Sequence, residues 1–243
     1  MEPTTKEAST NYSVTISMSQ ATVEALRADN FVLYGFKAVQ SLNNQGNALV
    51  WFQTTNFESE TLVSWKQRYQ AYTTFSGPFD QIVTGLEIAA TNSYDIELGN
   101  TLNVTSTQGT GFVDTLHGTP LAISIANQVN AQFIGGISQS QPDGSVTPLC
   151  AFPLLPEFMY VIAPIEQVLL TFSAEPLNPG TVIEQSLGDG LLIDLTGDNS
   201  RTVTFDIAAG WGWDGKSWAQ QVPSNSNLAQ LLIQSLASPA EST

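Results

Sequence analysis

The stretch LVSWKQRYQAYTTF (62–75) decides how this chain is read. Its side chains alternate in character, with Val63, Trp65, Gln67, Tyr69, Ala71, Thr73 and Phe75 on one side of an extended backbone. A period of two is the mark of a half-buried strand, because successive side chains leave opposite faces. The same alternation occurs upstream in Tyr12 to Met18, where Tyr12, Val14, Ile16 and Met18 share a side.

Working outward, strands are predicted over Phe31 to Val39, Ala48 to Thr54, Val83 to Ala89, Tyr94 to Thr105, Leu121 to Val129, Gln132 to Gln139 and Val146 to Phe152. Further strands are predicted over Met159 to Ile162, Glu166 to Ser173, Gly180 to Gln185, Leu191 to Leu195 and Thr202 to Ile207. Segments rich in Asn, Gly, Pro and Asp, such as 43–47 and 141–144, separate them with turn chemistry. Two helices interrupt the pattern. Ser19 caps one over Gln20 to Ala28, with Val23 and Leu26 facing inward. Leu228, Leu231, Leu232 and Leu236 form an apolar stripe over Asn225 to Ala237. The expected fold is all-β: two consecutive antiparallel β-sandwich-like lobes with short helices near the N- and C-termini. The expected boundaries are a flexible N-terminus at 1–11, a first lobe at 12–110, a second at 111–224, and an amphipathic helix and tail at 225–243. The Gly- and Thr-rich segment 106–120 would connect the lobes.

Composition limits what the protein can bind. Of the 243 residues, seven are Lys or Arg and 22 are Asp or Glu, a net charge of −15. The cations are scattered, so the electrostatic attraction that dominates nucleic-acid affinity is missing. The apolar stretch Phe158 to Leu170 is broken by Pro164, Glu166 and Gln167, so no transmembrane segment is expected. The start, MEPTTKEAST, has neither a basic nor an apolar leader region, and the expectation is a cytoplasmic protein or one released without a visible signal peptide.

The order VWFQ (50–53), VSWKQRYQAYTTF (63–75), IAATNSYDIELG (88–99), PIEQVLLTF (164–172), GTVIEQS (180–186), IDLTGDNSRTVTF (193–205) and GWGWDGKSW (210–218) resembles an uncharacterised family of fungal and bacterial β-rich proteins with no assigned activity. The resemblance runs from about Phe31 to Trp218. It implies an intracellular-type β protein and carries no catalytic residue across.

No catalytic constellation is read, and no cofactor is called for. His117 is the one histidine and Cys150 the one cysteine, so neither a His₂ nor a Cys₂ zinc site can form. His117 reads as a solvated loop residue and Cys150 as a buried thiol. Glu58 with Glu60, or Glu157 with Glu166, would make a glycosidase pair only across a cleft of defined width, and a chain this acidic supplies such pairs by chance. Asp189, Asp194 and Asp198 are weak calcium candidates, because hard cations take several oxygens, but they lack a calcium-loop spacing and read more simply as turn residues. The candidate ligand-binding residues are Trp211, Trp213, Asp214 and Trp218. Aromatic faces beside polar groups suit a sugar, with rings stacked on its C–H faces. The competing reading places these large rings in the core.

The expected function is a non-enzymatic binding protein, lectin-like or defence-type, recognising a carbohydrate or a protein through loops at the sheet ends. The alternatives are a structural self-assembling β protein, with homo-oligomers, or a pore-forming toxin. For the toxin, the Ser/Thr-rich stretches 98–110 and 10–19 would refold. An active site built from ordinary polar residues stays open.

Overall fold

A computed structural model describes residues 10–43, 46–75 and 83–236. Residues 44–45 of the expected loop at 43–47, most of the expected flexible N-terminus and the tail from 237 onward lie outside these. In order, the elements are β1 (Asn11–Ser17), α1 (Gln20–Ala28), β2 (Val32–Ser41), β3 (Asn47–Ala48), β4 (Phe52–Thr54), β5 (Glu60–Lys66), β6 (Tyr69–Thr74), β7 (Asn92–Ile96), β8 (Thr101–Val104) and β9 (Gly111–Asp114). They continue with β10 (Ile123–Asn127), β11 (Phe133–Ser140), β12 (Val146–Pro148), β13 (Cys150–Leu154), β14 (Met159–Ser173), β15 (Gly190–Asp194), β16 (Ser200–Asp206), β17 (Gly210–Gly212), β18 (Ala219–Val222), α2 (Leu228–Leu232) and β19 (Ile233–Ser235).

The fold is all-β, and among the described residues the strands form three sheets in a layered, sandwich-like arrangement. The first sheet runs β17-β16-β1-β5. The second runs β3-β13-β11-β6-β7, with β12 also on β11. The third follows β18-β15-β14-β10-β8-β9, and β2 joins it on β14, carrying β4 and β19. Two consecutive lobes are not confirmed. Every sheet takes strands from both sides of residue 110: β1 pairs with β16, β6 with β11, and β2 with β14. Three pairings, β1 with β16, β8 with β10 and β2 with β19, are parallel rather than antiparallel.

Local chemistry explains most of these elements. In β1, Val14 and Ile16 are buried while their neighbours are partly in water. In β5, Thr61, Val63 and Trp65 point inward and Glu60, Leu62, Ser64 and Lys66 outward. Ser19 caps α1 by accepting a hydrogen bond from the Thr22 amide at 3.1 Å, and Val23 and Leu26 anchor the helix to the core. Gly35 faces Phe52 across β2 and β4, and a Cβ there would lie 2.0 Å from the Phe52 ring, so the aromatic needs a glycine beneath it.

The structure departs from the sequence reading in several places. The stretch 62–75 is two strands in different sheets, with a corner at Gln67 and Arg68 where the Gln67 amide donates to the Thr10 carbonyl. The segments read as Met159–Ile162 and Glu166–Ser173 are one 15-residue strand, β14, carrying a bulge. Its register against β2 jumps between Pro164, opposite Val39, and Val168, opposite Lys37. Proline has no amide hydrogen for the ladder, and a bulge is where a strand tolerates that. The segments 83–89 and 180–185 are not regular strands but irregular chain tied by single bridges, among them Glu87 to Thr181 and Leu49 to Val182.

The expected C-terminal helix is also shorter than read. α2 spans Leu228–Leu232, capped by the Asn227 side chain, and the chain then extends as β19 along the free edge of β2. That edge offers unpaired backbone groups, and pairing satisfies them. Leu228 and Leu232 are buried with Tyr34, Phe36 and Leu169 of the same chain.

Candidate functional site

Trp211 sits in β17 opposite Phe205. It is buried, stacks on Phe172 with centroids 5.7 Å apart, and donates from Nε1 to the Asp189 carbonyl at 3.1 Å. It is a core residue. Trp213 is half-buried and packs on the edge of the same core. The chain then turns at Asp214 and Gly215, with φ of 56° and 64°, and the Lys216 amide closes the turn on the Trp213 carbonyl at 3.3 Å. Two successive left-handed residues define a tight type I′ turn, which explains the Asp-Gly pair.

Trp218 is also half-buried. The Arg201 guanidinium lies 5.0 Å from its ring centroid and is paired with Asp198 at 3.0 Å. The Trp218 carbonyl accepts the Asp194 amide at 2.7 Å, so Trp218, Arg201, Asp198 and Asp194 are brought together. Asp189 holds the Ser224 amide at 2.8 Å. Asp198 and Asp194 accept the amides of Ser200 and Thr196. Burial pushes the Asp194 carboxyl up. Hydrogen bonds from Thr196 and Gln167 and the Arg201 charge together outweigh that and hold it below the ordinary carboxylate value. The aspartates are thus engaged in turns, and among the described residues no group of three or more His, Cys, Asp or Glu is placed to hold a metal ion.

The other candidates also have places. His117 is exposed and contacts Asp114 at 3.0 Å. Cys150 is buried, and desolvation pushes its thiol up to about 12. Glu157 is exposed in a loop while Glu166 is buried, so they do not face one another across an open cleft.

Glu166 belongs to a centre that the sequence reading did not assemble. It lies in the bulge of β14 and is 8% exposed. Lys37 of β2, 1% exposed, donates to its Oε2 at 3.0 Å. Tyr69 of β6 donates to Oε1 at 3.0 Å, and Trp65 Nε1 of β5 approaches Oε2 at 3.5 Å. One carboxylate therefore accepts from all three sheets. The Lys37 ammonium also lies 4.5 Å from the Trp65 ring centroid and 5.7 Å from that of Trp51, a cation–π arrangement. Tyr12 of β1 stacks on the outer face of this group, 5.9 Å from Trp65. Burial lowers the Lys37 pKa against the opposing pull of Glu166, whereas burial and then the Glu166 charge raise Tyr69 well above the ordinary phenol value.

A sequence signal for this centre exists. Lys37 interrupts the apolar run VLYGFKAV (32–39), and Glu166 interrupts VIAPIEQVLL (161–170). Two opposite charges, each alone in an apolar strand, are expected to seek each other, because either one buried unpaired is costly.

No family model, no curated protein and no solved structure matches the chain.

Proposed function

We propose that this is a non-enzymatic binding protein, lectin-like or defence-type, that recognises its ligand through loops at the sheet ends, with glycans the first class to test. The observation that carries the reading is the division of labour among the tryptophans. Trp211 is committed to the core, while Trp213 and Trp218 keep part of their rings in water beside Asp214, Lys216 and the Arg201–Asp198 pair. Half-exposed rings next to charged and hydrogen-bonding groups suit a ligand with an apolar face and a polar rim. A glycan array followed by titration calorimetry tests the reading. Binding weakened about tenfold or more by Trp218→Ala or Trp213→Ala supports it. Silence across broad panels, together with measurable turnover of any substrate, overturns it.

Self-assembly is the second reading. Leu116 and Leu121 are 82% and 78% exposed, and Phe112 is exposed on β9, a strand at the end of its sheet. Exposed apolar side chains beside a sheet edge favour contact with another copy. Light scattering of the chain and of a Leu116→Asp/Leu121→Asp variant distinguishes the two readings. A particle that shrinks to the monomer mass supports self-assembly, and an unchanged monomer counts against it.

A further inference from the structure

The first sheet ends in a long strand with an open side. Among the described residues β5 pairs with β1 alone, and its seven residues make it the longest strand at the end of a sheet. Edge strands are commonly kept short, or broken by a proline or a bulge, so that they do not pair with another chain. β5 has none of these protections, since its register with β1 runs unbroken from Glu60 opposite Ser17 to Lys66 opposite Asn11. Glu60, Leu62, Ser64 and Lys66 are all exposed, and Leu62 keeps 62% of its surface in water.

The phase of the β1–β5 ladder fixes which backbone groups face the open side. The Met18 amide donates to the Ser59 carbonyl at 2.8 Å, and the Gln67 amide to the Thr10 carbonyl at 3.0 Å. Bonding residues alternate along an antiparallel pair, so Thr61, Val63 and Trp65 bond to β1. The amides and carbonyls of Glu60, Leu62 and Ser64 therefore point to the open side. Lys66 points the same way, but its carbonyl already accepts the Arg68 amide at 2.8 Å and Gln139 Nε2 at 3.1 Å. A strand added here is thus held by Glu60, Leu62 and Ser64.

Charge selects the strand that fits. Glu58 and Glu60 stand at one end of this edge and Lys66 and Arg68 at the other, all exposed. A second copy of the same edge, laid antiparallel, sets the acidic end on the basic end twice over, whereas a parallel copy would set like on like. We propose that two copies of this chain pair antiparallel through β5, about a two-fold axis at Leu62, joining two four-stranded sheets into one continuous sheet. In that register Leu62 faces its own mate, Glu60 faces Ser64, and Lys66 falls opposite Glu58. The exposed leucine is covered, the free backbone groups are satisfied, and the charges fix the direction of pairing. The contact is self-complementary and closes at two copies. This surface is separate from the β9 edge and does not depend on the exposed leucines there.

The test is the mass of the full chain in solution, read by sedimentation. The wild type is expected at twice 26.1 kDa, with a dimer that loosens as salt rises. Ser64→Pro removes an amide that faces the open side and leaves the β1 ladder intact, so it is expected to be a monomer with an unchanged circular dichroism spectrum. Glu58→Lys/Glu60→Lys and Lys66→Glu/Arg68→Glu are each expected to be monomers, because each brings like charges together, and to form a one-to-one dimer when mixed. Leu116→Asp/Leu121→Asp is expected to remain a dimer, which separates this contact from the β9 edge. A monomeric wild type, a dimer that survives Ser64→Pro, a charge variant that dimerises alone, two charge variants that fail to pair when mixed, or a dimer lost in Leu116→Asp/Leu121→Asp overturns the proposal.

Discussion

Glu166 and Lys37 each sit where a lone charge would be intolerable, and each is tolerated only because of the other. Their ion pair is buried, and the carboxylate also takes Tyr69 and Trp65. Removing one partner leaves the other uncompensated, so Glu166→Gln and Lys37→Met are each expected to cost about 3–5 kcal/mol. The double variant is expected to cost less than the two single losses added together. Denaturant unfolding of the four proteins measures this, and additive losses would mean the pair is not coupled. Two buried phenols, Tyr69 beside Glu166 and Tyr72 on the other face of β6, give a pH test. Tyr69 and Tyr72 have folded values well above 10.0, largely through burial. A group raised in the folded state contributes stability that is fully present below its unfolded value and is lost as pH rises through the folded one. Stability is therefore expected to fall above about pH 10, with Lys37, shifted the other way, offsetting part of the loss. Ultraviolet titration is expected to show these two phenols ionising only as the chain unfolds, and their ionisation near 10 in the folded protein would contradict the placement.

At the scale of elements, the helices are the simplest to test. Ser19→Ala removes the cap of α1 and is expected to cost about 1 kcal/mol. Leu232→Ala empties a buried site under α2 and is expected to cost about 2–5 kcal/mol. Thermal unfolding measures both, and a neutral Leu232→Ala would mean that α2 does not dock on its own chain. The α1 boundaries were legible because capping, periodicity and length all agree over Ser19 to Ala28. The corner at Gln67 and Arg68 was not legible. Val63, Trp65, Tyr69 and Ala71 keep the same parity through it, so alternation continues while the chain changes sheets. Pro164 misled in the opposite sense, since a bulge lets β14 run past it. In the C-terminal segment the leucine spacing was read over Asn225 to Ala237, but an unpaired edge on β2 takes the backbone from Ile233 onward, and tertiary pairing overrides the local stripe. Of the candidate site, the sequence located the tryptophan loop and its Asp-Gly turn. It could not separate Trp211 from Trp213 and Trp218, because only the tertiary neighbours Phe172 and Phe205 decide which ring is enclosed.

At the scale of the whole molecule, the three sheets are interleaved in sequence. Residues before and after position 110 pair in each sheet, and the junction where the sheets meet is closed by one carboxylate. The molecule is therefore expected to unfold as one cooperative unit rather than as an N-terminal and a C-terminal half. The most direct measurement is native-state hydrogen exchange of the wild type and Glu166→Gln, read at Ile16 in the first sheet, Ala71 in the second and Phe36 in the third. The account predicts that protection at all three amides falls by the same amount. Loss confined to β14 and β2, with Ile16 and Ala71 unchanged, would contradict it.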